Sequence, residues 1–127
     1  MIDHLGLAVI DIGRSRRFYA AALAPLGYRI IADTKNDAGH SVVLMGVGET
    51  VDFVIGDGER PGEGSHVAFR AANRAEVDAF HAAALAAGGR DHGAPGLRPQ
   101  YGTGYYAAFV LDADGINVEA VFHEERG

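Results

Sequence analysis

A chain of 127 residues, 48% of them hydrophobic, has the size and composition of one compact body, and its 17 acidic against 11 basic residues leave a formal net charge of −6. The arginines are scattered, so the concentrated basic footprint that a nucleic acid requires is excluded. With no cysteine, disulfides and thiolate metal sites are excluded too.

The opening MIDHLGLAV lacks the basic start of a secretory signal, and no later apolar run reaches the ~18 residues that a membrane span needs. A cytoplasmic protein without membrane partners is expected. Residues 2–10 alternate as a strand does, with Leu5, Leu7 and Val9 on one face and Ile2, His4, Gly6 and Ala8 on the other. Asp11 and Gly13 interrupt that run. Residues 15–26 then carry Phe18, Ala22 and Leu26 at helical spacing, with Tyr19 and Leu23 adjoining, and Gly27 stands where a left-handed cap belongs. Residues 28–34 and 40–47 read as strands joined by a turn of Asn, Asp and Gly, and residues 51–55 as a fourth strand that puts Asp52 and Val54 on one face. Residues 56–64, GDGERPGEG, read as a linker.

A second series follows. His66–Arg70 reads as a strand in which His66 and Ala68 share a face, and Asn73 as the N-cap of a helix over residues 74–87 built on Val77, Phe80, Ala84 and Leu85. Residues 90–102 hold a short strand and a loop whose prolines and glycines oppose regular pairing. Tyr105–Leu111 is a strand, residues 112–115 (DADG) a hairpin turn, and residues 116–122 the last strand, with Asn117, Glu119 and Val121 on one face.

The two series are one unit written twice. At an offset of 62 positions His66 falls on His4, Phe80 on Phe18, the second AAALA on the first, and Gly89 on Gly27. Eight identities in 24 positions hold this offset, which alanine content alone does not explain. The expected fold is α+β: two paired βαβββ modules, residues 1–56 and 64–123, within a single domain over residues 1–127, each sheet curving around a cleft with its helix outside.

If the modules pack about a pseudo-twofold axis, His4 and His66 approach it from matching first strands, and Glu119 comes from the strand expected to close the cleft. Two imidazoles and a carboxylate suit a divalent transition metal with coordination positions left open. The competing reading is a symmetric pair of polar residues hydrogen-bonded at the module interface around an empty cavity.

The openings IDHLGLAV and SHVAFRA, the helix-ending LGY, the hairpin LDADG and the closing NVEAVFH resemble those of the vicinal oxygen chelate superfamily, also called the glyoxalase, bleomycin-resistance and extradiol dioxygenase superfamily, over nearly the whole chain. The resemblance implies His4, His66 and Glu119 as ligands of a divalent metal (iron, manganese, zinc, nickel or cobalt). It also implies Asp52 as the equivalent last-strand position of the first module, taking VDFV to align with VEAV. Glyoxalase I-like relatives carry a carboxylate, usually glutamate, at both positions. The shorter Asp52 therefore favours a three-ligand site of the epimerase, fosfomycin-resistance or dioxygenase kind.

What the resemblance implies for activity is a metal-dependent enzyme, a lyase or isomerase, epimerase, thiol transferase or dioxygenase, acting on a small substrate that chelates the metal through neighbouring oxygens. The proton acceptor stays open between a hydroxide at the metal, Asp52 and Tyr105. Tyr105 and Tyr106 are adjacent, so at most one looks into the cleft, where a phenol can bond a substrate oxygen or act as an acid, the alternative being core packing. Arg98 and Gln100, in a loop where many short relatives carry histidines, are candidates for holding an anionic or carbonyl group. Small relatives commonly dimerise, with modules paired in one chain or exchanged between chains, and a homodimer is expected. The alternative is a metal-independent binding protein that sequesters a drug or metabolite, as bleomycin-resistance members do.

Overall fold

The structure is a computed structural model that describes residues 2–61 and 65–124, so part of the expected linker, residues 62–64, lies outside the described residues. The first module runs β1 (Leu5–Ala8), α1 (Ile12–Leu23), β2 (Tyr28–Lys35), β3 (Ser41–Val47) and β4 (Thr50–Gly56). The second runs β5 (His66–Arg70), α2 (Arg74–Ala86), β6 (Arg90–Leu97), β7 (Tyr105–Leu111) and β8 (Asn117–His123). Each module forms its own four-stranded mixed sheet, ordered β1-β4-β3-β2 and β5-β8-β7-β6. In both, the first strand lies parallel to the last and the remaining pairs are antiparallel. The fold is α+β, as the repeat implied.

The repeat extends to the helix starts. Asp11 Oδ1 accepts from the Arg14 N–H at 3.0 Å, and Asn73 Oδ1 from the Glu76 N–H at 2.8 Å. Glu76 reaches back to accept from the Ala72 N–H at 2.9 Å. Each cap satisfies a backbone donor that the first turn leaves orphaned. Asp11 lies beyond the strand, as expected, but it also caps the helix, and α1 begins three residues earlier than position 15 for that reason.

At its other end α1 stops at Leu23, short of position 26, and a 3₁₀ turn over Ala24–Leu26 follows. Pro25 accounts for this, since it has no N–H to give to the α-helical ladder. Gly27 then takes φ 87°, the left-handed value that its cap position demands. Strand β6 is longer than the short strand expected, and its register against β7 shifts at Asp91/Gly93 and again at Gly93/Gly96. Pro95 is tolerated because β6 is an edge strand.

Each helix covers its own sheet, and the two helices touch. Phe18, Tyr19 and Leu23 of α1 and Val77, Phe80 and Ala84 of α2 are buried in one core with Phe53, Ile55, Val110, Val118 and Ala120 from the sheets. Burying a large apolar side chain stabilises by ~1.5–3 kcal/mol, so this shared core holds the modules together. Phe69 of β5 joins them directly, its ring meeting Phe53 at 5.0 Å and Tyr28 at 5.2 Å between centroids. The opposite sheet faces stay open, and β1 and β5 are edge strands, each paired on one side only.

Candidate functional site

The open face of the second sheet is set by alternation. Val67 and Phe69 of β5 and Val118 and Ala120 of β8 enter the core, which turns His66, Asn117 and Glu119 outward. Antiparallel pairing places Phe109 opposite Glu119, and Tyr105 opposite His123, on the same face.

Three of these side chains meet. His66 Nε2 stands 2.9 Å from Glu119 Oε1, and the Tyr105 hydroxyl donates to Glu119 Oε2. Glu119 is 2% exposed while the His66 side chain is 43% exposed, so the carboxylate forms the floor of the site and the imidazole its rim. Burial, and next the Glu119 carboxylate, raise the Tyr105 pKa above the ordinary tyrosine range. Tyr105 is therefore a protonated donor at neutral pH.

The His66 ring is fixed from behind. Its Nδ1 lies 3.1 Å from the Asn117 carbonyl oxygen, which can only accept, so Nδ1 carries a proton. Nε2 then either bears a second proton, as an imidazolium paired with Glu119, or presents a lone pair to the carboxylate. With a proton on neither Nε2 nor Glu119, two acceptors face each other across 2.9 Å, an arrangement that a cation between them relieves. Phe109 flanks the imidazole at 6.3 Å between centroids, and the His123 ring packs edge-on against Tyr105 at 5.1 Å.

His4 is not part of this cluster. It precedes β1 on the other sheet, 58% exposed, with Nδ1 2.7 Å from Asp3 Oδ1. Among the described residues no three His, Asp or Glu side chains gather closely enough to hold one metal ion. His4 thus does not gather with His66 and Glu119 among the described residues of one chain, and β1 and β5 are edge strands of separate sheets.

The alignment that equated Asp52 with Glu119 also needs correction. Leu5 pairs with Phe53, 48 positions on, whereas His66 pairs with Asn117, 51 positions on. Register sets Val54 against Gly6 as it sets Glu119 against Ala68, so Val54 holds the place of Glu119 and Asp52 that of Asn117. Asp52 Oδ2 accepts from the Tyr28 hydroxyl at 3.0 Å, and its Oδ1 is buried without a partner.

Tyr106 faces the helix: its hydroxyl donates to Asp78 Oδ1 at 2.6 Å and Arg74 lies 4.7 Å over its ring. Gln100 is an exposed turn residue. Arg98 does reach the open face, where it lines a groove of about 210 Å³ with His92, Gly93, Tyr101, Phe109 and Asn117. Neither Phe109 nor Asn117 stands out in the sequence as a site residue. Strand alternation from Tyr105 would have put Phe109 on the right face, but the Asn117 contribution is a backbone carbonyl that no side-chain pattern signals.

The sequence model of the glyoxalase/bleomycin resistance protein/dioxygenase superfamily matches residues 1–120. The chain belongs to that superfamily. A solved glyoxalase/bleomycin resistance protein from Albidiferax ferrireducens T118 is 31% identical, with 94% of this chain and 97% of that chain covered at a TM-score of 0.76. A domain of the superfamily from Frankia sp. EAN1pec is 21% identical, with 97% of each chain covered and a TM-score of 0.74, a likeness of fold. Glyoxalase I from Zea mays is 22% identical at a TM-score of 0.71, and 95% of this chain covers 45% of that one, again a likeness of fold. No curated protein matches the chain.

Members of this superfamily include enzymes and are typically metal-dependent. His66 and Glu119 fit such an ion as two of its ligands: their 2.9 Å separation is close to the ~3 Å spanned by neighbouring donors that each sit ~2.1 Å from a shared ion. The backbone carbonyl behind His66 and the phenol behind Glu119 are the kind of supports that metal ligands have.

Proposed function

We propose that the chain is a divalent-metal-dependent enzyme acting on a small substrate through two neighbouring oxygens, with His66 and Glu119 as ligands. The third ligand is His4 from a second copy of the chain in a homodimer, since β1 and β5 leave free edges for such pairing. The observation that carries this reading is the buried Glu119 carboxylate facing His66 Nε2 at 2.9 Å while Nδ1 is committed to a carbonyl. A bound ion would supply Lewis acidity toward a substrate oxygen that gains negative charge.

The chain's own groups do the rest. Tyr105 holds Glu119 Oε2 and leaves Oε1 directed at His66. The Asn117 carbonyl holds the imidazole plane, and Phe109 shields one side of it from water. With its pKa raised, Tyr105 gives hydrogen bonds and does not act as the base at neutral pH.

Metal content per chain, measured by mass spectrometry on untagged protein beside His66→Ala, tests the proposal. About one transition metal per chain, lost in the variant, supports it. Equal metal in both proteins overturns it. No uptake after reconstitution with iron, manganese, cobalt, nickel and zinc overturns it too, and leaves the binding-protein reading. Light scattering checks the dimer.

A further inference from the structure

The groove beside His66 holds an arginine that has no ionic partner among the described residues. Arg14, Arg16 and Arg74 each meet a carboxylate at 2.7–3.3 Å, at Asp114, Asp33 and Glu124. Among the described residues no carboxylate pairs with Arg98, a condition it shares with Arg17, Arg29, Arg60, Arg70 and Arg90, and what sets it apart is its place over Phe109, the neighbour of His66.

The guanidinium is nonetheless held in place. Nη2 donates to the Ala94 carbonyl at 2.7 Å, and the group lies 5.4 Å over the Phe109 ring, whose neighbour in turn is His66. Two glycines clear its path. A Cβ on Gly93 would come within 3.1 Å of Arg98 Nη2 and 2.9 Å of Phe109 Cδ1, and one on Gly96 within 3.2 Å of Arg98 Nη1. A guanidinium has five N–H donors, and the carbonyl uses one. The residues lining the groove include no acid.

We propose that Arg98 receives an anionic group of the substrate. The substrate class is then a small acid whose anionic group is separated by a few carbons from the two neighbouring oxygens, with Phe109 between the two ends. The inference about the acid rests on His66 and Glu119 being the reacting centre; the anion site itself does not. A planar fork of donors suits carboxylate or phosphate, and placement over an aromatic ring leaves its edge free for them.

Two measurements test this. In metal-free protein, inorganic phosphate is titrated while the Arg98 Nε–Hε resonance is followed by NMR, its assignment fixed by loss in Arg98→Gln. A saturable shift supports the anion site whatever becomes of the metal reading, and an unmoved resonance overturns it. In metal-loaded protein, calorimetry compares 2-oxoglutarate with 2-oxopentanoate, which share the chelating head and differ by one distal carboxylate. Binding of 2-oxoglutarate about tenfold tighter, with the ratio collapsing in Arg98→Gln and partly kept in Arg98→Lys, supports the assigned class. An equal ratio in wild type and Arg98→Gln overturns it. His66→Ala should weaken both acids alike; if it weakens neither while Arg98→Gln still acts, the metal-centre reading fails and the anion site stands. Circular dichroism on each variant separates misfolding from lost binding.

Discussion

The Tyr19 hydroxyl on α1 donates to Asp112 Oδ2 at 2.7 Å, joining the helix of the first module to the hairpin turn of the second. Both residues are buried, and Asp112 Oδ1 accepts in addition from the Asp114 and Ile116 N–H groups at 2.9 and 2.8 Å. Tyr19→Phe leaves that carboxylate one donor short and should cost about 1–3 kcal/mol in urea unfolding. Asp112→Ala loses the turn bonds as well and should cost more. Since neither residue touches His66 or Glu119, the folded variants should bind metal as wild type does.

Tyr105→Phe separates support from ligation. The phenol touches Glu119 and no ligand nitrogen, so its removal should loosen metal affinity by about 10- to 100-fold without abolishing it. Competition with a fluorescent chelator measures this. Unchanged affinity would mean that Glu119 needs no positioning from Tyr105.

The register of β4 predicts the behaviour of Asp52. Because Val54, not Asp52, stands where Glu119 does, Asp52→Ala should retain metal at the wild-type level while Glu119→Gln loses it. Loss in Asp52→Ala would restore Asp52 as a ligand. Circular dichroism guards against a folding defect, since Tyr28 loses its acceptor in this variant.

The helices, the Asn73 and Gly27 caps and the face carrying Glu119 were legible in the sequence because each depends on local periodicity and on single residue types, whereas the Asp11 cap was not. The parallel pairings were not. Sequence similarity suggested matching VDFV to VEAV, yet three more residues separate β5 from its partner than separate β1 from its own, and only hydrogen-bonded register reveals which side chains stand level. The repeat also suggested that His4 and His66 would meet. Symmetry within the sequence fixes that the histidines are equivalent, but which copy of the second module each faces depends on how sheet edges pair. Tyr106 was readable only as the alternative to Tyr105, and the hydrogen bond from Tyr105 to Glu119 decides between them.

Acid sensitivity should come in part from Asp33 and Asp91, beside the capping Asp11, whose carboxyl the Arg14 N–H also holds below its ordinary value. Hydrogen bonds from Arg16 and His81, respectively, hold the Asp33 and Asp91 carboxyls below their ordinary value. A carboxylate with a depressed folded pKa contributes its stability above the unfolded value of ~3.9 and loses it as pH falls through the folded value. The part of the thermal midpoint owed to these two groups should therefore hold from pH 7 to about 5 and fall below about 4. Asp33→Asn combined with Asp91→Asn should lower the midpoint at neutral pH and flatten the decline; an equally steep decline in the double variant would place the titrating groups elsewhere.

Gly27 and Gly89 are equivalent in the repeat, yet the structure uses them differently. Gly27 has φ 87°, whereas at the end of α2 the left-handed residue is Gly88, φ 101°, one position before the repeat match. Gly89 is required for a different reason. A Cβ there would stand 2.4 Å from Val110 Cγ1, 2.8 Å from Phe18 Cε1 and 2.9 Å from the Ala84 carbonyl oxygen. The first two belong to the core that joins α1 to the second sheet, so Gly89→Ala should press the modules apart and cost about 1–3 kcal/mol by overpacking. Phe18→Leu removes part of the obstruction. In a double-mutant cycle by urea unfolding, the loss from Gly89→Ala should be smaller on the Phe18→Leu background, whereas full additivity would show that the strain is borne by the backbone or by Val110 alone.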